Sequence, residues 1–124
     1  MRPFICSLLK CNSCGSESIP RATIEKYTKI KLPSYHPNIQ QFRNEQAFIS
    51  DLIEDISKNR NSVCTENPIK ISEEDLYIFM ESADPNDELK IVELLYGIDI
   101  IKGNITCSQC GVVRSIEEGI LRYE

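Results

Sequence analysis

The sequence predicts an α+β fold, in which a small metal-binding domain with a short antiparallel sheet of three to four strands is built from both chain ends. Two observations lead to it. The pattern Cys-x-x-Cys-Gly occurs at residues 11–15 and again at residues 107–111. Short β-like runs lie beside both copies, whereas the residues between them show helical periodicity. We therefore expect residues 1-34 plus 98-124 to form the metal-binding domain, and residues 35-97 to form a helical insertion domain.

Composition fits a globular chain of ordinary size. The chain has 124 residues, of which 41% are hydrophobic and 27% are charged, values that are typical of a domain with a buried core. No apolar run approaches the roughly 18 to 20 residues of a membrane span, and the N-terminal MRPFICSLLK is too short for a signal peptide. We expect a cytoplasmic and nuclear protein with no membrane association.

Charge is unevenly spread along the chain. The net charge is −5 and the sequence pI is about 5.0, but the N-terminal quarter is basic and residues 66–93 are strongly acidic. An autonomous nucleic-acid binder shows a dominant basic face. The overall balance therefore predicts that nucleic acid is contacted at most indirectly, through a partner, and both regions also fit ordinary solvated faces.

We call each Cys-x-x-Cys-Gly segment a knuckle, and the first predicted strand follows the N-terminal one. Thr23–Lys31 is rich in β-branched residues, although polar and apolar positions alternate only in part, and this pattern favours a strand. Pro33 and Pro37 then bracket a loop.

Three helical segments are predicted in the middle of the chain. The first runs from Asn38 to about Lys58, with a break near Arg43-Asn44, and a polar connection follows over residues 59–71. A second begins at Ser72, whose partner Asp75 stands three residues on. The third begins at Asp84-Pro85 and runs to Gly97. The apolar positions of these segments are Ile39, Phe42, Phe48, Ile49, Leu52, Ile53, Ile56, Leu76, Phe79, Met80, Ala83, Leu89, Val92, Leu94 and Leu95.

The remaining strands are predicted after Gly97. IDIIKGNITC and VVRSI are β-like, and Lys102-Gly103-Asn104 has the composition of a tight turn. A second turn at Glu117-Glu118-Gly119 leads to the last strand, Ile120 to Tyr123. This strand either lies at the edge of the sheet, where its backbone could pair with another chain, or only closes the chain's own sheet.

Six cysteines allow disulfides, a redox pair or a metal site. A reducing compartment disfavours disulfides, and two knuckles with a glycine after each second cysteine favour a metal. Cys11, Cys14, Cys107 and Cys110 are therefore predicted to form a closed tetrahedral zinc site, which makes the first domain a zinc-binding domain. Iron bound by four thiolates shares this geometry and stays open as an alternative. Cys6 and Cys64 lie outside the pattern and are predicted to be buried thiols.

A catalytic site is not apparent in the sequence. His36 is the one histidine, and a lone histidine in a loop is more often structural than catalytic. There is no glycine-rich phosphate loop and no Ser-His-Asp or Cys-His arrangement with suitable spacing. The acidic residues 73–75 are explained by the dipole at a helix start. Four cysteines also leave no open metal position for a metalloenzyme, so we expect a binding or supporting subunit and no enzyme.

Three motifs in this order are similar to a known family. They are Leu8-Leu9-Lys10-Cys11 at the first knuckle, Ile101 to Gly111 through the second, and Ile116 to Ile120 after it. With the helical middle, they resemble the small zinc-binding activator subunit shared by eukaryotic and archaeal class I methyltransferases that use S-adenosylmethionine (SAM). The specific motifs lie near the two chain ends, and the middle matches only in type.

The resemblance implies a non-catalytic subunit that forms heterodimers with methyltransferases of tRNA, of ribosomal RNA and of the class 1 translation termination factor. It implies strand-to-strand pairing that covers an apolar surface of the catalytic subunit and favours SAM binding, so SAM is bound only through the partner. One structural Zn²⁺ would be held by Cys11, Cys14, Cys107 and Cys110. The implied partner interface comprises Ile5, Leu8, Leu9, Ile116, Gly119, Ile120, Leu121, Arg122 and Tyr123.

One position departs from the family pattern. The family typically continues Gly-Ile with Pro-Asn, whereas Leu121-Arg122 follows Gly119-Ile120 here. Backbone pairing tolerates the change, because Leu121 keeps an N–H group that proline lacks. This difference leaves open the register in which the last strand would pair with a partner, and which partners it would select.

The competing interpretation is a zinc-ribbon adaptor for nucleic acid or protein, without a methyltransferase partner. The knuckles and the basic N-terminal region favour it. Against it stand the acidic pI, the absence of tryptophan, and the lack of a basic strand with interleaved aromatic residues of the kind that binds single-stranded nucleic acid.

Overall fold

An antiparallel sheet of four strands joins the two ends of the chain. The computed structural model describes residues 1–58 and 69–122, and the strands lie side by side in sequence order. Neighbouring strands are all antiparallel, and helices complete the predicted α+β fold. The strands are β1 (Arg21–Lys29), β2 (Ile98–Thr106), β3 (Val113–Glu117) and β4 (Ile120–Leu121).

The pairing of β1 with β2 contains two irregularities that offset each other. Ile24 pairs with Gly103 and Tyr27 pairs with Ile100, so both strands advance three residues between these pairs, but the register shifts on either side of Lys26. Ile24 and Tyr27 are both buried although they stand three positions apart. An extra residue in each strand reverses the face that the side chains present. This explains why β1 shows only partial alternation in sequence.

The tight turn predicted at Lys102-Gly103-Asn104 is wrong, because β2 continues through all three residues. Gly103 pairs with Ile24 on one side and with Ile116 on the other. A Cβ atom at this position would overlap the carbonyl oxygen of Thr23. The glycine therefore allows the backbones of β1 and β2 to approach closely beside the irregular pairing. Glycine within a strand often marks such a close approach.

We expect Gly103→Ala to destabilise the protein by about 3 kcal/mol, since the new methyl group meets backbone that cannot rotate away. The measurement is the free energy of unfolding by chemical denaturation. Lys102→Ala is the matched control in the same strand, and because Lys102 is exposed its effect should stay within roughly 0.5 kcal/mol. Equal stability of the two variants would contradict the close approach of β1 at Gly103.

The helices follow the predicted order. They are α1 (Gln46–Lys58), α2 (Glu73–Glu81) and α3 (Leu89–Tyr96), with 3₁₀ helices at Pro3–Leu8, Gln40–Asn44 and Pro85–Glu88. The break predicted near Arg43-Asn44 is confirmed, because a 3₁₀ helix ends at Asn44 and α1 begins two residues later.

Both predicted helix starts are confirmed by side-chain caps. The Ser72 amide donates to the Asp75 carboxylate at 2.9 Å, which is half of a capping box. The Asn86 amide donates to the carboxylate of Asp84 at 2.9 Å, and Pro85 occupies the first turn. Short polar side chains at these positions satisfy amides that a helix start leaves without a partner.

The helix α1 packs against β1 and is fixed to it by two carboxylates. The Ile24 amide donates to Asp55 Oδ2 at 2.8 Å, and Arg21 Nη2 donates to Asp51 Oδ1 at 2.8 Å. Burial raises the pKa of Asp55. The buried apolar residues of the helices and of the sheet belong to one core cluster. The division into domains 1-34 plus 98-124 and 35-97 stays a prediction.

Some predictions fall on residues outside those described. They concern Cys64, most of the connection at 59–71, and Tyr123. Among the described residues, Cys6 is completely buried, which confirms the prediction for that thiol. In the same parts of the chain, each helix is too short or too polar to span a lipid bilayer.

Candidate metal centre and docking edge

The two knuckles have the same backbone conformation. The Gly15 amide donates to the Cys11 carbonyl at 2.8 Å, and the Gly111 amide donates to the Cys107 carbonyl at 3.0 Å. Gly15 and Gly111 have φ angles of 76° and 75°, a left-handed conformation that glycine adopts without strain. The repeated pentapeptide in the sequence is therefore a repeated turn in the structure.

These turns bring four sulfurs together. Cys11 Sγ lies 3.6 Å from Cys110 Sγ, and Cys14 Sγ lies 3.7 Å from Cys107 Sγ. All four sulfurs lie within 4.8 Å of one another. Around a tetrahedral zinc with Zn–S bonds of about 2.3 Å, neighbouring sulfurs are about 3.8 Å apart. The four predicted ligands thus fit one metal ion. The knuckles lie side by side because Arg21, at the start of β1, pairs with Thr106, at the end of β2.

Backbone amides favour the thiolate form of the first cysteine in each knuckle. Hydrogen bonds from the amides of Cys14 and Ser13 lower the pKa of Cys11 to about 6. Amides of Cys110 and Gln109 likewise lower the pKa of Cys107. Because the thiolate is the form that binds metal, both knuckles are prepared for a cation.

Cys14, the second cysteine of the first knuckle, needs a bound cation to become a thiolate beside the other three sulfurs. A hydrogen bond from the Ser16 amide lowers the pKa of Cys14, but desolvation and the nearby sulfurs, Cys107 first, raise it to about 11. Four thiolates this close repel one another, and a bound cation offsets that repulsion. With all four sulfurs as ligands, a tetrahedral ion has no open position for substrate, so the centre can only be structural.

Arg114 connects the sheet to the first knuckle and was not predicted as a site residue. Its guanidinium donates to the side chains of Asn12 and, at 3.2 Å, of Ser13. Strand alternation places Arg114 on the same face of β3 as the buried Ile116. The sequence signal that could have identified Arg114 is a charged residue two positions before Ile116, on the buried face of the strand.

The strand β4 lies at one edge of the sheet, and β1 lies at the other. A two-residue turn, Glu118–Gly119, joins it to β3, with φ angles of 54° and 78°, as in the type I′ turns typical of hairpins. Within residues 1–58 and 69–122, no strand pairs with the outer side of β4. Its outer backbone groups therefore face outward, as strand addition by another chain requires.

The predicted interface residues differ in exposure. Leu8 is 72% exposed and Ile120 is 55% exposed, so both present apolar surface. Arg122 is exposed. Ile5, Leu9 and Leu121 are partly buried against the core, and Gly119 lies in the turn. The side chain of Ile116 is completely buried, and its strand β3 lies between β2 and β4.

An apolar residue near this edge was not predicted. Val113, at the start of β3, is 58% exposed. Strand alternation puts it on the same face as Glu117, which pairs with Ile120. Val113 and Ile120 therefore lie on the same face of the sheet, at opposite ends of the β3–β4 hairpin, and the run VVRSI gave no sign of which valine would be outward.

His36, the lone histidine, lies among the helices and away from the cysteines. Its Nε2 atom lies 2.8 Å from Glu88 Oε2, and the Glu88 carboxylate, which is buried, also accepts from the side-chain amide of Gln40. This contact ties the loop after β1 to the start of α3, which is a structural use of the histidine.

Sequence comparison alone does not assign the chain to a protein family. No protein-family model matches it, and no curated protein matches it in sequence. Comparison with solved structures finds a chain of the E. cuniculi Mtq2-Trm112 complex, which is responsible for methylation of the eRF1 translation termination factor. The identity is 27%, the TM-score is 0.74, and the alignment covers 98% of this chain and 93% of that chain.

The chain is Trm112-like. Because the alignment covers 98% of this chain, the likeness in fold extends over both chain ends and the helical middle. The Trm112-like fold and the cluster of four cysteines confirm the resemblance that the motifs near the two chain ends indicated.

Proposed function

We propose that the chain is a non-catalytic subunit that binds and activates class I SAM-dependent methyltransferases, forming a heterodimer with each. The observation that carries this proposal is the likeness of nearly the whole chain to a chain of the Mtq2-Trm112 complex. The closed cysteine centre supports it, since it gives the chain a structural ion and no site for chemistry. SAM and the reacting groups then belong to the catalytic partner.

The ion in this proposal is one Zn²⁺ bound by Cys11, Cys14, Cys107 and Cys110. The sulfur spacing of 3.6 to 3.7 Å between knuckles fits zinc, and the amide hydrogen bonds to Cys11 and Cys107 supply the thiolates it requires. When bound, zinc supplies folding free energy and takes no part in methyl transfer.

The partner docks on the β4 edge in this proposal. An extended strand of the catalytic subunit adds to the outer side of β4, while Ile120, Val113 and Leu8 cover an apolar surface beside it. Capping such a surface stabilises the folded partner by mass action and keeps it soluble. If docking also orders a loop that binds SAM, cofactor affinity rises by a coupling free energy of about 1 to 3 kcal/mol.

The substrates are those of the partner enzymes. We include methylation of the class 1 translation termination factor, which is the reaction of the complex that this chain resembles. We also include tRNA and ribosomal RNA, which the resemblance to the activator family implies. We also propose that the complexes occur in the cytoplasm and the nucleus, because tRNA and ribosomal RNA are made in the nucleus and used in the cytoplasm. The acidic balance of the chain leaves RNA contact to the partner.

We expect the chain to co-purify from its own cells with class I methyltransferases in a roughly one-to-one ratio. The isolation would use a C-terminal tag on a flexible linker, moderate salt and nuclease treatment, followed by mass spectrometry. Salt and nuclease remove partners held through nucleic acid. Recovery of RNA-dependent partners alone would reject the proposal in favour of the zinc-ribbon adaptor.

A further inference from the structure

The two knuckles are attached to the sheet in different ways. The second knuckle joins β2 directly to β3, because the Cys107 amide donates to the Val112 carbonyl at 2.9 Å and Val113 begins β3. The first knuckle is separated from β1 by residues 16–20, which form neither strand nor helix. The position of the first knuckle against the sheet therefore requires a further contact.

Arg114 supplies that contact from β3. Its guanidinium donates to the side chains of Asn12 and, at 3.2 Å, of Ser13. Both acceptors stand between the ligands Cys11 and Cys14 in the sequence, so Arg114 holds the first knuckle between its two sulfurs. We call this contact the arginine clamp: the Arg114 guanidinium with the side chains of Asn12 and Ser13. It joins the first knuckle to the strand that follows the second.

Apolar packing does not make this connection. A cavity of about 40 Å³ lies beside the clamp, and its walls include Cys11, Ile105, Cys107 and Arg114. Where space remains between two surfaces, the atoms that line it lack close contacts with each other. Hydrogen bonds from a charged donor are stronger than those between neutral groups, so the clamp carries the connection across this space.

The clamp matters because the four sulfurs come from two separate segments. Cys11 and Cys14 form one pair, Cys107 and Cys110 form the other, and an ion leaves such a site by losing one pair first. A pair that stays close has a high effective concentration and binds the ion again before it escapes. The clamp keeps the first pair opposite the second while the bonds to it are broken, so loss of the clamp speeds release of the metal.

We propose that Arg114 is a positioning residue of the metal centre, which holds the first knuckle against β3 and thereby slows release of the metal. Arg114 is not a ligand, and it acts through Asn12 and Ser13 on the position of Cys11 and Cys14. The inference rests on the zinc centre of the proposed function, and it is independent of which partner docks at β4.

The first test measures the rate at which the zinc-loaded full chain gives up its metal. The metal is captured by a chromophoric chelator, at concentrations where the rate no longer depends on the chelator. Arg114→Met keeps a long side chain but removes the donors, and release should be roughly 5 to 20 times faster. Lys102→Met is the matched control, since it removes an exposed cation from the neighbouring strand β2, and its rate should stay within about twofold of the natural sequence. Equal rates in the two variants would overturn the proposal.

A double-mutant cycle shows whether Arg114 acts through the clamp. Replacing Asn12 and Ser13 together with alanine removes both acceptors, so release should be faster to a similar extent. Adding Arg114→Met to that variant should then change the rate by less than about twofold, because the hydrogen bonds are already lost. If Arg114→Met has its full effect without the two acceptors, the clamp is rejected as the cause.

Hydrogen exchange separates local release of the first knuckle from a general loss of stability. The Gly15 amide is bonded to the Cys11 carbonyl, and the Gly111 amide is bonded to the Cys107 carbonyl. In Arg114→Met, exchange at Gly15 should rise at least about fivefold, whereas exchange at Gly111 and within α1 should stay unchanged. An equal increase at all three places, or none at Gly15, would overturn the proposal.

These readouts also separate the inference from the proposed function. Metal release and amide exchange are measured without a methyltransferase, and exchange at Gly15 reports on the clamp whichever metal fills the site. If the chain binds no methyltransferase but Arg114→Met loosens the first knuckle as expected, the proposed function is rejected and the clamp stands. If methyltransferases bind and the first knuckle is unaffected by Arg114→Met, the clamp is rejected and the proposed function stands.

Discussion

Replacing Cys107 with serine is expected to remove the metal and to leave the protein largely unfolded. Binding of structural zinc contributes on the order of 10 to 16 kcal/mol at neutral pH, whereas domains of this size are stable by roughly 5 to 15 kcal/mol. Losing one of four ligands therefore removes a free energy comparable to the whole stability. The measurements are metal per chain by elemental analysis and the thermal transition by circular dichroism.

Cys6→Ala is the matched control, because it removes a cysteine that is not a ligand. Cys6 is completely buried, and burial raises its pKa to about 12, so it stays a neutral thiol in the core. We expect one metal per chain and a loss of about 1 to 2 kcal/mol from the small cavity. A soluble, fully structured Cys107→Ser protein without metal would show that the knuckles do not hold the fold together.

Ile120→Asp is expected to abolish binding of the methyltransferase while zinc content and melting temperature stay unchanged. Ile120 lies at the sheet edge and is 55% exposed, so the free protein accommodates a carboxylate there. In the complex the same carboxylate would be buried without a partner, and burying an unpaired charge costs several kcal/mol. Affinity should fall at least about 100-fold, as measured by calorimetry with the purified catalytic subunit.

Tyr77→Asp provides the comparison for this variant. Tyr77 is 67% exposed on α2, so the change introduces the same charge at an apolar surface position away from β4. Binding by Tyr77→Asp should match the natural sequence. Leu121→Asp, one residue along β4, should fail to bind as Ile120→Asp does, and normal binding by both β4 variants would exclude docking at this edge.

Features that depend on a few neighbouring residues could be predicted from the sequence. The knuckles are an example, because Gly15 and Gly111 stand where the turn requires a positive φ angle. The caps at the two helix starts are another, since the Asp75 carboxylate accepts from the Ser72 amide three residues before it, and the Asp84 carboxylate accepts from the Asn86 amide two residues after it. In these cases the number of residues between two groups in the sequence already determines how they lie in space.

Features that depend on distant pairing could not be predicted in this way. Gly103 has the composition of a turn, and only the approach of Thr23 from β1 makes it a strand residue. Arg114 finds its acceptors on the first knuckle, far away in sequence.

The pairing of β1 with β2 also sets the order of events during protein synthesis. Arg21 meets Thr106, so most of the chain must leave the ribosome before the central ladder of the sheet can close. Until Cys107 and Cys110 emerge, the nascent chain offers two thiols where a stable zinc site needs four. Contacts this distant in sequence also slow folding, because a long loop must close before they form. The ladder between β1 and β2 and the four-sulfur site therefore both form only after the second knuckle has been made.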